Sequence, residues 1–170
     1  MNFDFWNIRG VMDSVRQSEV RHFVHTNDIC CLGLTETKVP RTLFDNITFS
    51  LIPGWSWTAN YGFSARGRIW IGWNPVFVDF SSLITTSQMI HGMIRILNMD
   101  ATLYFTAIYG EHTFVARRPL WTVLIRLSST LQDNPWIVGG DFNAIRDPSD
   151  RQGSPDIWYP SFNELHECLF

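Results

Sequence analysis

Trp136-Ile137-Val138-Gly139-Gly140-Asp141-Phe142-Asn143 ends in a carboxylate and a carboxamide at alternate positions. Its first half is an apolar, β-branched run with the pattern of a buried strand. If the strand continues, Asp141 and Asn143 leave on one face. Such a pair suits a hard cation, or a phosphate oxygen that the cation polarises. Three further residues of useful type stand near the ends of short apolar runs: Asn7, Glu36 and Tyr109. The chemistry these types could do together is phosphodiester hydrolysis. Glu36 offers an ionised oxygen ligand to Mg²⁺, and Asp141 can orient or deprotonate a water. Asn143 can hold phosphate or water beside it, and Tyr109 can donate to developing charge.

Each residue also has a plainer reading. Asp141 and Asn143 are common turn residues, and Asn7 before Arg9-Gly10 reads as one too. Glu36 could be an acid at a helix start, and Tyr109 a strand-end aromatic. The chemical reading gains from the coincidence of four such positions at expected strand ends.

The elements that must position them follow from periodicity. Residues 2–7 alternate, with Phe3 and Phe5 on one face and Asp4 and Trp6 on the other. Ser14 and Gln17 have capping-box spacing, and Val20, Phe23 and Val24 give an apolar stripe for a helix to about residue 26. Residues 29–34 are apolar throughout, as in a strand buried on both faces. Two strands joined by a helix suggest parallel neighbours, so Asn7 and Glu36 would emerge at the same carboxyl edge. Residues 40–60 are harder to assign, beyond a turn at Pro53-Gly54 and alternation over 55–59. Short strands are expected at 69–73, 76–80 and 92–97, and a strong one at 102–109. Pro119 fits the first turn of a helix to about residue 131. A polar loop spans 146–155, and Trp158, Phe162, Leu165 and Leu169 have helical spacing. Meandering strands between helices point to a mixed two-sheet α/β architecture rather than a pure doubly wound one.

Composition limits the classes. The 170 residues are 15% aromatic and 17% charged, which fits one globular domain with a core and excludes a disordered chain. The net charge of −3 shows no bulk basic field for nucleic acid, although acids that hold a metal would mask one. Cys30, Cys31 and Cys168 have neither metal-ligand spacing nor a disulfide framework, which favours a reducing compartment. No apolar run approaches ~20 residues, so no membrane span is expected. The start lacks the regions of a signal peptide. The sequence sets no oligomeric state.

Trp6-Asn7-Ile8-Arg9-Gly10, Leu34-Thr35-Glu36-Thr37-Lys38, Ile108-Tyr109-Gly110 and Gly140-Asp141-Phe142-Asn143 together resemble, in order, the endonuclease/exonuclease/phosphatase superfamily, DNase I-like. They look closest to the endonuclease domain of plant LINE-type retrotransposons. Arg16-Gln17-Ser18-Glu19-Val20-Arg21, Gly67-Arg68-Ile69-Trp70 and Arg117-Arg118 are similar to that group as well. The resemblance implies a four-layer α/β sandwich of two mixed sheets flanked by helices, cleaving DNA with Mg²⁺ (or Mn²⁺). Glu36 would be the metal ligand, assisted by Asn7. Asp141 and Asn143 would activate water, and Tyr109 would contact the scissile phosphate. DNA would meet Arg66, Arg68, Arg117 and Arg118, expected in loops or at a helix start, although these also read as solvated surface arginines. A reverse transcriptase domain in the full-length ancestor and a nuclear location are further implications. The family pattern closes with further strands and a Ser-Asp-His motif, and this chain contains no Asp-His dipeptide. The expectation is therefore a single domain over 1–170, truncated at its C-terminus, with impaired cleavage. The alternatives are an inactive remnant, or a phosphodiesterase or phosphatase acting on a small substrate.

Overall fold

The computed structural model describes residues 1–145 and 164–169. The alternating first segment forms β1 (Asn2–Asn7), and the continuous apolar run forms β2 (Ile29–Thr35), buried at all seven positions. They pair in parallel, with Asn7 opposite Thr35. The crossover between them is α1 (Ser14–Thr26). Asp13, not Ser14, caps this helix, its side chain accepting from the Val15 N–H at 3.0 Å. Gln17 makes no capping box. It is buried, and its Nε2 donates to the Val11 carbonyl at 3.1 Å.

The unassigned stretch 40–60 contains a 3₁₀ turn (Arg41–Leu43), α2 (Phe44–Leu51) and β3 (Ser56–Ala59). β4 (Ile69–Trp73) runs antiparallel between β3 and β2, so the first sheet has the order β1-β2-β4-β3. The second sheet joins β5 (Val78–Thr85), β6 (Met89–Ile96), β7 (Ala101–Tyr109) and β8 (Trp136–Asp141) in that order. Its last pair, β7 and β8, is parallel, with Tyr109 opposite Asp141.

Two elements differ from expectation. β5 starts after a turn in which Phe77 and Val78 donate to the Asn74 carbonyl, and it continues to Thr85. Its second half carries serines on an outer strand with a bulge near Ile84, so it lacks the alternation that marks a strand. The helix after β7, α3 (Phe114–Leu131), begins before Pro119 and holds that proline inside. Thr113 caps it, so the proline gives up a hydrogen bond that the Val115 carbonyl would otherwise accept. α4 (Glu164–Leu169) contains the end of the last helical pattern, while the loop 146–155, Trp158 and Phe162 lie outside the described residues.

The inner faces of the sheets meet around Cys31, Ile69, Ile71, Ile90, Ile94 and Phe105, with Phe3 and Phe5 added from β1. Val20 and Val24 of α1 cover the outer face of the first sheet, and Leu120, Leu124 and Leu127 of α3 cover the second. The result is helix, sheet, sheet, helix: a DNase I-like α/β sandwich, as expected. Among the described residues no helix is long and apolar enough to cross a membrane.

One buried polar group makes this packing sensitive to acid. His91 of β6 is buried, its Nδ1 lies 2.8 Å from Thr106 Oγ1, and its ring stacks on Tyr104. Trp136 Nε1 donates to the same hydroxyl at 2.8 Å, so the hydroxyl proton is free for His91 Nδ1. Burial then penalises the imidazolium and lowers the His91 pKa to about 4. The unfolded chain binds a proton more readily, so stability is full above about pH 6.5 and falls as pH drops towards 4. The expected loss across that window is roughly 2–3 kcal/mol. Urea titrations at pH 7 and pH 4.5 should show it in the wild type. A His91→Phe chain should lack this contribution, and an unchanged pH slope in that variant would contradict the assignment.

Candidate active site

Because β1/β2 and β7/β8 are the parallel pairs of their sheets, their carboxyl ends come to one edge of the sandwich. β1 and β8 face one another across the inner core. Phe5 lies between them, its ring stacked on Phe105 at 4.6 Å. Two residues further along β1, a side-chain hydrogen bond links the two sheets at this edge. Asn7 Nδ2 donates to Asp141 Oδ2 at 2.6 Å. With its nitrogen committed there, Asn7 is left with a buried Oδ1 that has no hydrogen-bond partner among the described residues. An unsatisfied buried carbonyl is costly, so this oxygen is suited to a cation, a water or a ligand donor.

The strand does not continue to Asn143. It ends at Asp141, and Asn143 turns away at φ +47°. The Asn143 N–H donates to Asp141 Oδ1 at 2.9 Å, and its Nδ2 donates to the Gly110 carbonyl at 2.7 Å. The turn reading therefore holds, and it leaves part of the carboxylate for the edge. One carboxylate oxygen closes the turn, and the other reaches Asn7.

Glu36 follows β2 at φ +59°, and its carbonyl accepts from Gly10 N at 2.9 Å. Lys38, also at φ +59°, brings its Nζ to 2.8 Å from Glu36 Oε1. Between them, Thr37 is buried and donates to the Gly67 carbonyl at 2.6 Å. That tie draws in the next loop, and the Arg68 guanidinium lies 5.6 Å from the Tyr109 ring centre. Tyr109 itself is buried. Burial raises the pKa of its hydroxyl, Glu36 and Asp141 raise it further, and Arg68 and Lys38 pull it down. The balance is upward, so Tyr109 keeps its proton at neutral pH and can donate it in a hydrogen bond. That phenol senses acids and bases arriving from β2, β8 and two loops.

Of the four arginines, only Arg68 joins this cluster, with Glu111 Oε1 3.9 Å away. Arg66 is exposed in the same loop. Arg118 pairs with Glu164 at 3.1 Å and lies over Phe114. Arg117 is a correction: it is buried inside α3. Its Nη1 donates to the carbonyls of Glu111 at 2.8 Å and His112 at 3.1 Å, so it cannot face DNA. Sequence reasoning passed over Lys38, two residues beyond Glu36. It also passed over His112, three beyond Tyr109, whose ring lies 6.2 Å from the tyrosine's. Their nearness in sequence to site residues was the available sign.

The structure is thus a DNase I-like sandwich with acid, amide and phenol gathered at its carboxyl edge. Residues 5–164 match the Endonuclease/Exonuclease/phosphatase family, and the chain belongs to that family. No curated protein matches it in sequence. Among solved structures, an AP endonuclease from Archaeoglobus fulgidus is similar at TM-score 0.69 and 17% identity, over 98% of this chain and 68% of that one. The endonuclease domain of TRAS1, a telomere-specific non-LTR retrotransposon, has TM-score 0.65 and 16% identity, over 97% and 67%. A mannosyl-6-phosphatase from Bacteroides thetaiotaomicron has TM-score 0.65 and 13% identity, over 96% and 68%. These likenesses are of fold. The chain spans about two thirds of the length of the structures it resembles, for example 66% and 64% of two others.

The position of Arg117 has a measurable consequence. Removing its guanidinium leaves two carbonyls of the 111–112 loop without their donor. Arg117→Met should lower unfolding stability by roughly 1–3 kcal/mol. A surface arginine would change it by a few tenths at most. Urea unfolding of the two chains separates these outcomes.

Proposed function

We propose that this chain is a metal-dependent endonuclease that hydrolyses phosphodiester bonds of DNA. The observation that carries the reading is the Asn7–Asp141 link with its orphaned buried oxygen, set beside Tyr109 and Glu36. Among the described residues no three His, Cys, Asp or Glu side chains form a metal cage. The donors present are hard oxygens: the Glu36 carboxylate and the Asn7 amide oxygen, with Asp141 adjacent. That is the sparse set Mg²⁺ accepts when it keeps its waters and shares a phosphate, and Mn²⁺ takes the same ligands. Bound there, the ion would polarise a phosphate oxygen and offset developing charge.

The protein groups divide the remaining work. Asn7 holds the Asp141 carboxylate in one orientation, and Asp141 orients or deprotonates the attacking water. Asn143 fixes the turn that aims it. Tyr109, kept protonated, donates to the phosphate, and Arg68 adds positive charge beside it. The motif strings and the TRAS1 likeness support target nicking of the retrotransposon type, plant LINE-like in detail. On that reading a reverse transcriptase domain and a nuclear setting belong to the ancestral protein.

A second reading, the same fold without turnover, is favoured by Lys38. Its ammonium already occupies the Glu36 carboxylate at 2.8 Å, where a metal would sit. A phosphatase acting on a small ester is the third member of the set, since the same scaffold occurs in a sugar phosphatase.

Nicking of supercoiled plasmid, with Mg²⁺ and with chelator, tests the proposal. Metal-dependent nicking is expected, and Glu36→Ala and Asp141→Ala should each reduce it by about 10²–10⁴-fold. Full activity in either variant would remove that residue from its role. A folded chain that leaves plasmid intact would establish the second reading, unless it releases phosphate from a sugar phosphate.

A further inference from the structure

The loop after β7 presents a side chain that the motifs do not use. His112 sets its ring edge-on to Tyr109, with the planes at 89°. The Arg68 guanidinium lies against the same phenol, so two nitrogen groups flank one tyrosine. His112 is exposed, and its ring nitrogens make no hydrogen bond among the described residues.

An exposed loop imidazole is ordinarily unconstrained, but this loop is pinned on both sides. Arg117 holds the carbonyls of residues 111 and 112 from within α3. Gln88 Oε1 accepts from Glu111 N at 2.9 Å, and Gln88 Nε2 donates to the Ala116 carbonyl at 2.9 Å. Buried polar groups are thus committed to fixing the backbone of a residue whose own side chain has no hydrogen-bonding partner among the described residues. Beside it, the Arg68–Glu111 pair is long at 3.9 Å and partly solvated. Such a pair is weak and leaves the guanidinium able to turn to an anion.

We propose that His112 is a phosphate-contacting residue of this site, its imidazole N–H donating to a non-bridging oxygen of a phosphodiester seated against Tyr109 and Arg68. This rests on the reading of the edge as a phosphate site, and it adds a donor from a third element. Arg117 and Gln88 are then positioning residues, holding the loop rather than touching substrate. The competing explanation is that the ring only covers one edge of Tyr109, in which case phenylalanine would serve equally well.

The test follows the imidazole ¹⁵N resonances of His112 in the folded chain, with chelator present, as inorganic phosphate and then a short DNA duplex are titrated in. A saturable shift is expected. His112→Phe, which keeps the ring packing, should weaken duplex affinity by about 10- to 100-fold, the range for a hydrogen bond to a charged group. His112→Asn should recover part of that loss. Unmoved His112 resonances, or wild-type affinity in His112→Phe, would overturn the proposal. None of this needs turnover, so the outcomes separate. A shift without plasmid nicking removes the endonuclease reading and keeps His112. Nicking with a silent His112 does the reverse, and a chain that binds neither phosphate nor duplex defeats both.

Discussion

The geometry of the site depends on how closely two sheets can approach at one aromatic ring. Phe5 projects from β1 into the inner layer and stacks on Phe105 of β7 with the planes 9° apart. It can do so only because glycine stands on both sides. A β-carbon on Gly33 would lie 2.7 Å from the Phe5 ring, and one on Gly139 would overlap it outright. Those glycines belong to β2 and β8, the strands that deliver Glu36 and Asp141. A side chain at either would wedge the sheets apart near the edge where Asn7 and Asp141 must meet within a hydrogen bond's reach. An interior packed at crystal-like density does not absorb such a wedge cheaply.

At that edge the backbone takes conformations that the rest of the fold mostly avoids. Seven described non-glycine residues have positive φ, and four of them are Arg9, Glu36, Lys38 and Asn143. Each such residue costs roughly 1 kcal/mol or more, somewhat less for an Asn such as Asn143. Surrounding contacts hold them in place. Ile8, Gly10 and Val11 donate to the carbonyls of Thr35, Glu36 and Thr37, extending the β1–β2 pairing past the strands. Strain concentrated here, together with an Asn7 oxygen unsatisfied among the described residues, means that stability has been given up at this edge. The Glu36–Lys38 contact at 2.8 Å is one internal recovery.

Much of this was legible in the residues, for physical reasons that also mark the limits. β2 was plain because a strand buried on both faces must be apolar throughout. The placement of Asn7 and Glu36 at one edge followed from the parallel crossover. The second half of β5 was not legible, because an outer strand with serines on its exposed face has no period to detect. Arg117 was misread for a different reason. Two adjacent arginines look like surface, and only the return of the 111–112 carbonyls towards α3 makes one of them internal. The extent of α3 was hidden by Pro119, which marks a helix start in most contexts but is tolerated here one turn in. Lys38 and His112 were missed because their nearness to the site depends on positive φ at non-glycine residues and on loop pinning by Gln88. Neither leaves a trace in local composition.

The division of labour at the edge bears on what distinguishes members of this family. Asn7, Asp141 and Tyr109 are strand-end groups whose positions follow from the sheet packing, so any chain with this sandwich can present them similarly. That is consistent with one fold occurring in an AP endonuclease and in a sugar phosphatase. Fold and strand ends alone therefore carry little information about substrate. The nitrogen-bearing side chains behave differently. Lys38, Arg66, Arg68 and His112 all sit on connections between elements, where length and sequence can vary without disturbing the core. A chain with net charge −3 has no general attraction for a polyanion, so any preference for a long phosphodiester must come from these local groups. The tie from Thr37 to Gly67 and the clamp of Arg117 on the 111–112 carbonyls are thus more than loop stabilisation. They hold the backbones of two separate loops so that the Arg68 and His112 side chains both come against the Tyr109 ring.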